Sequence, residues 1–300
     1  MIAEVLLLLA GHESSLFQES TIHPSFAPLL HPGEQQTLQS IAQIAVRYRR
    51  VRAFCTATIQ SRNRYICALC STISAILREE YESLIIETES KILRRDDAFV
   101  GQGSFVPISA IRAAFSEWDA PLKALDNFVG QLEAKPLWPP GPLIDILLER
   151  ANSGVHTVAS VFSRVSIAVQ RTWLTDLIPF IVHGRVSDYL PLAQEKASSS
   201  KTKTSTYELL DGSVPSCVSV SARESILYIG RAVATISSSR KSKQFPRSMT
   251  IEHANLLDEA YPQDTHQFDQ VIDTIRGNIS EWLWLNILTR EEVQDAVNSL

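Results

Sequence analysis

Cys67 and Cys70 form a Cys-x-x-Cys pair, a spacing that can close on a metal ion or run a dithiol–disulfide cycle. A structural zinc site needs four ligands, and a thioredoxin-type centre needs a strand–helix–strand setting. There is no second pair, and both cysteines lie inside an apolar helical pattern, so they read as buried helix cysteines. His12, His23 and His31 crowd one connector but lack the fixed spacing of a metal site on rigid elements. Glu79-Glu80 and Asp96-Asp97 are neighbours in sequence, not carboxylates opposed across a cleft, so they make no acid/base pair. Gly101 to Ser104 (GQGS) is followed by no Gly-Lys-Ser/Thr, and no nucleophile-elbow or His-Glu-x-x-His motif occurs. The Asn278-Ile279-Ser280 sequon falls within a helical pattern. The sequence therefore assigns no catalytic, cofactor-binding or metal residues, and the expected role is not enzymatic.

The elements that carry these residues are helical. The strongest is Val155 to Leu190, where Val155, Val158, Phe162, Val165, Val169 and Trp173 recur every three or four residues along one face. Pro179 should kink this helix or start a second segment, and Gly184 after His183 should close it in the left-handed conformation. So long an apolar stripe must be covered by other helices, which makes it the centre of a bundle. Composition agrees: 300 residues, 45% hydrophobic, with 11 Gly and 14 Pro, suit a large helical core. A net charge of −5 sets up no global field for nucleic acid, and four cysteines are too few for a disulfide scaffold, so a reducing, intracellular setting is expected. The opening MIAEVLLLLAG lacks a basic flank and is interrupted by Glu4, which argues against a signal peptide. It reads as a short helix stopped by Gly11, and no stretch reads as membrane-spanning.

Along the chain, Pro32-Gly33-Glu34 looks like a helix entry, and Leu38, Ile41, Ala45 and Tyr48 mark the helix that follows. Its basic run (Arg47, Arg49, Arg50, Arg52) could meet acidic partners or phosphates, but the expected reading is a solvated flank near a helix C-terminus. Tyr65, Leu69, Ile73, Ile76, Tyr81, Leu84 and Ile92 carry the next helix. Ile108, Ile111, Phe115, Trp118, Leu122, Leu125, Val129 and Leu132 form the most regular stripe, with a bend at Pro121 and with Trp118 in the core. Ser221 to Glu224 is a capping box opening a helix on Ile226, Ile229, Val233 and Ile236. Phe268, Val271, Ile275, Ile279 and Trp282 define the last strong helix, and Thr289 to Glu292 is a further capping box. Two Ser/Thr/Lys-rich stretches, 193–206 and 237–248, have no apolar face to dock and are expected to be mobile loops. The predicted fold is all-α, built of elongated helical bundles, with no sheet beyond a stray pair near Cys217 to Val220.

The order of several local patterns adds more. MIAEVLLLLAGHESSLF resembles the start of gamma-tubulin complex components, most like the fourth component, and His31-Pro32-x-Glu34 and Tyr65-Ile66-Cys67-Ala68-Leu69-Cys70 fit the same template. So do the aromatic helix with Trp173 running into His183-Gly184 and Asp188, Pro215-Ser216-Cys217-Val218 through Ile226-Leu227-Tyr228-Ile229-Gly230, and Phe268-x-x-Val271-Ile272-x-x-Ile275-Arg276 with Trp282. Cys217, where an aromatic is usual, and Ser219, where proline is common, depart from the pattern, as does Arg231, where some members have lysine. The stretch after Asp188 is Ser/Lys-rich where an acidic loop is usual.

The resemblance implies that residues 1–300 are the N-terminal helical domain of such a component, without the C-terminal half that holds gamma-tubulin. It implies lateral contact with other gamma-tubulin complex components and contact with gamma-tubulin through the assembled complex. It also implies a place in the cytoplasm and cytoskeleton at spindle poles or other microtubule-organising centres, and no nucleic-acid or membrane partner. Val5, Leu6, Leu8 and Leu9, in an apolar run wider than one helical face, are the candidate lateral-interface residues, and extra depth in the core explains the same run equally well. The alternative reading is an unrelated helical scaffold or vesicle-tethering subunit.

Overall fold

The computed structural model describes residues 1–286 apart from 19–20, 97–98, 100–104, 136, 197–205 and 239–244. Eleven α-helices among the described residues fall into two compact units. The first takes in Met1–Ser61, Ile66–Leu137 and Arg150–Val165; the second takes in Arg62–Tyr65, Trp138–Glu149 and the chain from Ser166 onward.

In the first unit, α2 (Pro32–Thr58) is the central helix, with α1 (Ile2–Leu9), α5 (Ile108–Ala114) and α6 (Asp119–Glu133) packed on it. Its start follows from local chemistry. His31 accepts a hydrogen bond from the Gly33 amide at its Nδ1, Glu34 accepts one from the His31 amide, and Pro32 occupies the first turn. The basic run does not lie at a helix end: Arg47 pairs with Asp119 at 2.7 Å, and Arg50 spans Asp126 at 3.1 Å and Glu133 at 3.0 Å, so it ties α2 to α6. A small hairpin, β1 (Phe17–Gln18) with β2 (Thr21–Ile22), follows α1.

Helix α3 (Arg64–Ile76) runs through a six-residue π-helical segment, Leu77–Glu82, into α4 (Ser83–Leu93). The wider π turn shifts the inward face, so that Ile85 is buried and Leu84 only partly covered, where α-helical spacing points Leu84 inward. A comparable correction applies to Trp118. The stripe from Ile108 to Leu132 is not one helix: α5 ends at Ala114, and a 3₁₀ turn, Ser116–Trp118, precedes α6. Phe115, Leu122, Leu125, Phe128 and Val129 are fully buried, but Trp118 is half-buried at the rim, edge-on to Tyr81 at 5.4 Å.

The second unit contains most of α7 (Pro140–Ala151), the later part of α8 (His156–His183), and α9 (Val220–Ser238), α10 (Arg247–Asp258) and α11 (Thr265–Asn286). Along α8, Phe162, Val165, Val169, Trp173, Leu177 and Phe180 are all fully buried, as their spacing predicts, but Val155, counted in the same stripe, precedes the helix and is exposed. The helix continues through Pro179 to His183, and Gly184 then takes φ +63°. By length and composition α8 is apolar enough to cross a membrane, which its sequence pattern did not suggest; 61% of its most apolar window is covered by protein. Ser166, Gln170 and Asp176 are buried on it and hydrogen-bonded within the unit.

Two expectations about the polar stretches need revision. Ala193–Lys196 (β3) pairs antiparallel with Thr206–Leu209 (β4), Ala193 opposite Leu209, so the first stretch opens and closes on paired strand; residues 197–205 lie outside the described residues. These two hairpins also correct the expectation of no sheet beyond Cys217 to Val220. The second stretch overlaps the ends of α9 and α10, and α10 is a helix that periodicity did not reveal; 239–244 lie outside the described residues, as do GQGS and the Thr289–Glu292 capping box.

Candidate functional site

Helix α1 carries the four residues singled out as a partner surface. Val5 and Leu9 are fully buried and Leu6 and Leu8 nearly so, in a unit where α1 lies against α2 and α4. The Tyr81 hydroxyl donates to the Leu9 carbonyl at 3.0 Å, and Gly11, at φ +83°, turns the chain where a side chain would press on the Tyr48 ring at 3.1 Å. The quartet is therefore core. An unbroken run of leucines buries more than one face because the short helix is covered on two sides, which composition does not reveal. Leu7 on α1 and Met1 before it are large apolar residues left exposed, as are Ile86 and Leu93 on neighbouring α4, which share one helical face seven residues apart.

Among the described residues, the chemistry-bearing side chains do not converge. Cys67 is half-buried and its thiol donates to the Ser61 carbonyl at 3.1 Å, while Cys70 is buried beside Cys55. The hydrogen bond between Cys55 and Cys70, and burial after it, hold the Cys70 thiol far above its ordinary range; the same bond lowers Cys55, against the opposing effect of burial. The Cys-x-x-Cys spacing thus splits its two thiols between different partners. No cluster of three or more His, Cys, Asp or Glu able to hold a metal ion occurs among the described residues. Buried polar groups instead pin elements together. Asp176 on α8 accepts from the Tyr65 hydroxyl at 2.6 Å and from Arg64 at 2.7 Å; burial first, then this acceptor, pushes the Tyr65 phenol well above its usual range. Trp173 Nε1 donates to the Ser213 carbonyl at 2.8 Å. The main chain around Gly141 is tied down in the same way, its amide bonded to the Gly212 carbonyl at 2.8 Å.

The run from Pro215 to Gly230 has a packing logic that the sequence shows only as a pattern. Arg223 reaches back to the carbonyls of Pro215 and Val218, at 2.8 and 3.1 Å, and closes the entry to α9. Arg231 binds the Tyr207 carbonyl through Nε at 2.9 Å and through a second guanidinium nitrogen, so it fastens β4 to α9. Gly230 lies directly on the Phe180 ring, and Gly184 lies on the Ala234 backbone; neither position leaves room for a Cβ. These contacts hold a scaffold rather than surround a pocket.

Comparison with known proteins bears on what such a scaffold is for. The family model described as Gamma tubulin complex component N-terminal matches residues 2–291. The chain is also similar to Gamma-tubulin complex component gfh1 of Schizosaccharomyces pombe, 26% identical over 214 residues, an alignment that covers 63% of this chain and 33% of that protein.

Proposed function

Because the chain belongs to the gamma tubulin complex component family, we propose that it is a structural subunit of a gamma-tubulin complex, related most to the fourth component. In this reading residues 1–300 stand side by side with the corresponding domain of other components and reach gamma-tubulin through the assembled complex. That assembly templates microtubule nucleation at spindle poles and other microtubule-organising centres in the cytoplasm. The observation that carries the reading is the family match over residues 2–291, which falls on two helical units whose buried polar groups serve packing.

A lateral interface needs an apolar centre with a polar rim. In this reading Val5, Leu6, Leu8 and Leu9, being buried, have a supporting part and hold α1 in place, and the contact itself falls to the exposed residues Met1, Leu7, Ile86 and Leu93. Co-precipitation of the chain with the N-terminal domain of another component, and separately with gamma-tubulin, tests the proposal. Binding to the neighbouring domain, reduced at least tenfold by Leu7→Glu together with Ile86→Glu in a chain that keeps its helical circular dichroism, supports it. Strong binding to gamma-tubulin with none to the neighbour refutes it.

A further inference from the structure

Helix α10 is twelve residues long and buries only two side chains, His253 and Leu257, one turn apart on the same face. Everything else on it is exposed or partly covered, so half of its fully buried anchoring is a histidine. The contact that orients the ring crosses to α11: Asn278 Nδ2 lies 3.4 Å from His253 Nε2. With the Asn278 amide nitrogen turned to it, Nε2 accepts, the ring proton sits on Nδ1, and the docked ring is neutral.

We propose that His253 is an acid-sensitive latch: protonation of its ring releases α10 from α11. Protonated Nε2 would face the Asn278 amide donor to donor. Rotating that amide to present its oxygen restores one hydrogen bond but leaves a buried positive charge. The charges around the ring do not cancel it. Glu252, the preceding residue on α10, is exposed and pulls the ring's proton affinity up, but burial pushes it down more strongly. On α11 the facing group is Asn278 itself, and the charged residues nearest it in sequence, Arg276 and Glu281, are both exposed. Arg276 is moreover engaged with Ser225 at 3.1 Å and lies over the Tyr228 ring.

The sign follows from linkage. A histidine whose affinity is depressed in the folded state lends stability that is complete above its ordinary pKa and drains away as the pH falls. One proton sets the ceiling, a tenfold rise in the opening of α10 for each pH unit below the ordinary value of 6.5.

Hydrogen–deuterium exchange of peptides from α10, corrected for the intrinsic pH dependence of exchange, reads that opening in the whole chain. The wild type is expected to lose protection severalfold, and at most about tenfold, between pH 6.5 and 5.5, with α9 unchanged. His253→Gln, which keeps an acceptor without a titration, should be flat over that range. Asn278→Asp, which offers the protonated ring a counter-charge, should move the loss to lower pH. Protection in the wild type that does not change with pH overturns the latch. So does an equal acid loss in His253→Gln. If that variant is already unprotected at pH 7.5, Asn278→Asp decides: a pH profile identical to the wild type overturns the proposal.

Discussion

Replacing Gly230 with alanine separates two effects of opposite sign. In the helix interior, alanine is favoured over glycine by about 1 kcal/mol, so on an open surface the change would stabilise. At this position the new Cβ meets three Phe180 ring carbons, the farthest at 2.7 Å, whereas ordinary contact begins at 3.4 Å. The other two carbons are closer still, so the ring must retreat by more than 0.7 Å, the difference of those two distances. Phe180 is fully buried and packs edge-on against Tyr207 at 5.7 Å, and Arg231 holds the main chain of Tyr207, so the displacement passes into β4. Overpacking of this kind costs about 2–3 kcal/mol, near the top of its usual range because the neighbour is an aromatic ring without free space. The net expectation is destabilisation by about 1–2 kcal/mol. A double-mutant cycle tests the cause. In a Phe180→Leu background, where a flexible side chain replaces the ring, Gly230→Ala should be neutral or stabilising by up to about 1 kcal/mol, a coupling of about 2 kcal/mol. Urea denaturation followed by tryptophan fluorescence, reading Trp173 in the same unit, measures both legs. Additive effects of the two substitutions would refute the reasoning.

Trp118→Ala should cost about 1–2 kcal/mol because the ring is only half covered, whereas Phe128→Ala in the same stretch should cost about 3–5 kcal/mol, and equal denaturation midpoints for the two would contradict the assigned rim position. Asp176→Ala should destabilise by about 2–3 kcal/mol, at the low end for a buried charge pair because Arg64 can turn to water while the Tyr65 hydroxyl loses its partner; Tyr65→Phe added to it should then cost little more. Burial, and after it the charge of Asp145, pushes the Cys217 thiol up to about 11, so at pH 8 its thiolate fraction is on the order of a hundredfold below that of an ordinary thiol. Iodoacetamide labelling read by mass spectrometry should show Cys217 reacting correspondingly slowly at that pH and accelerating as the pH rises towards 11.

The helices were legible because their signal is local. A period of three to four along Val158 to Phe180 requires one buried face whatever covers it, and His31-Pro32-x-Glu34 and Gly184 terminate helices through bonds that span only a few residues. Family membership was legible for a related reason, since the collinear order of such local patterns is a property of the chain. What tertiary structure alone decided depends on partners distant in sequence. Ala193–Lys196 has no strand-like pattern and becomes a strand because its backbone meets Thr206–Leu209, which Arg231 of α9 holds in place. Helix α10, with two buried side chains, offers too narrow a stripe to stand out until α11 lies against it. A π turn and a 3₁₀ turn, each a small change in residues per turn, rotate Leu84 and Trp118 away from the positions that a constant period gives them. Val5, Leu6, Leu8 and Leu9 show the limit most directly, because hydrophobicity says that a surface will be covered, and only the packing of α1 against α2 and α4 says that this chain covers these four itself and leaves Leu7 outside.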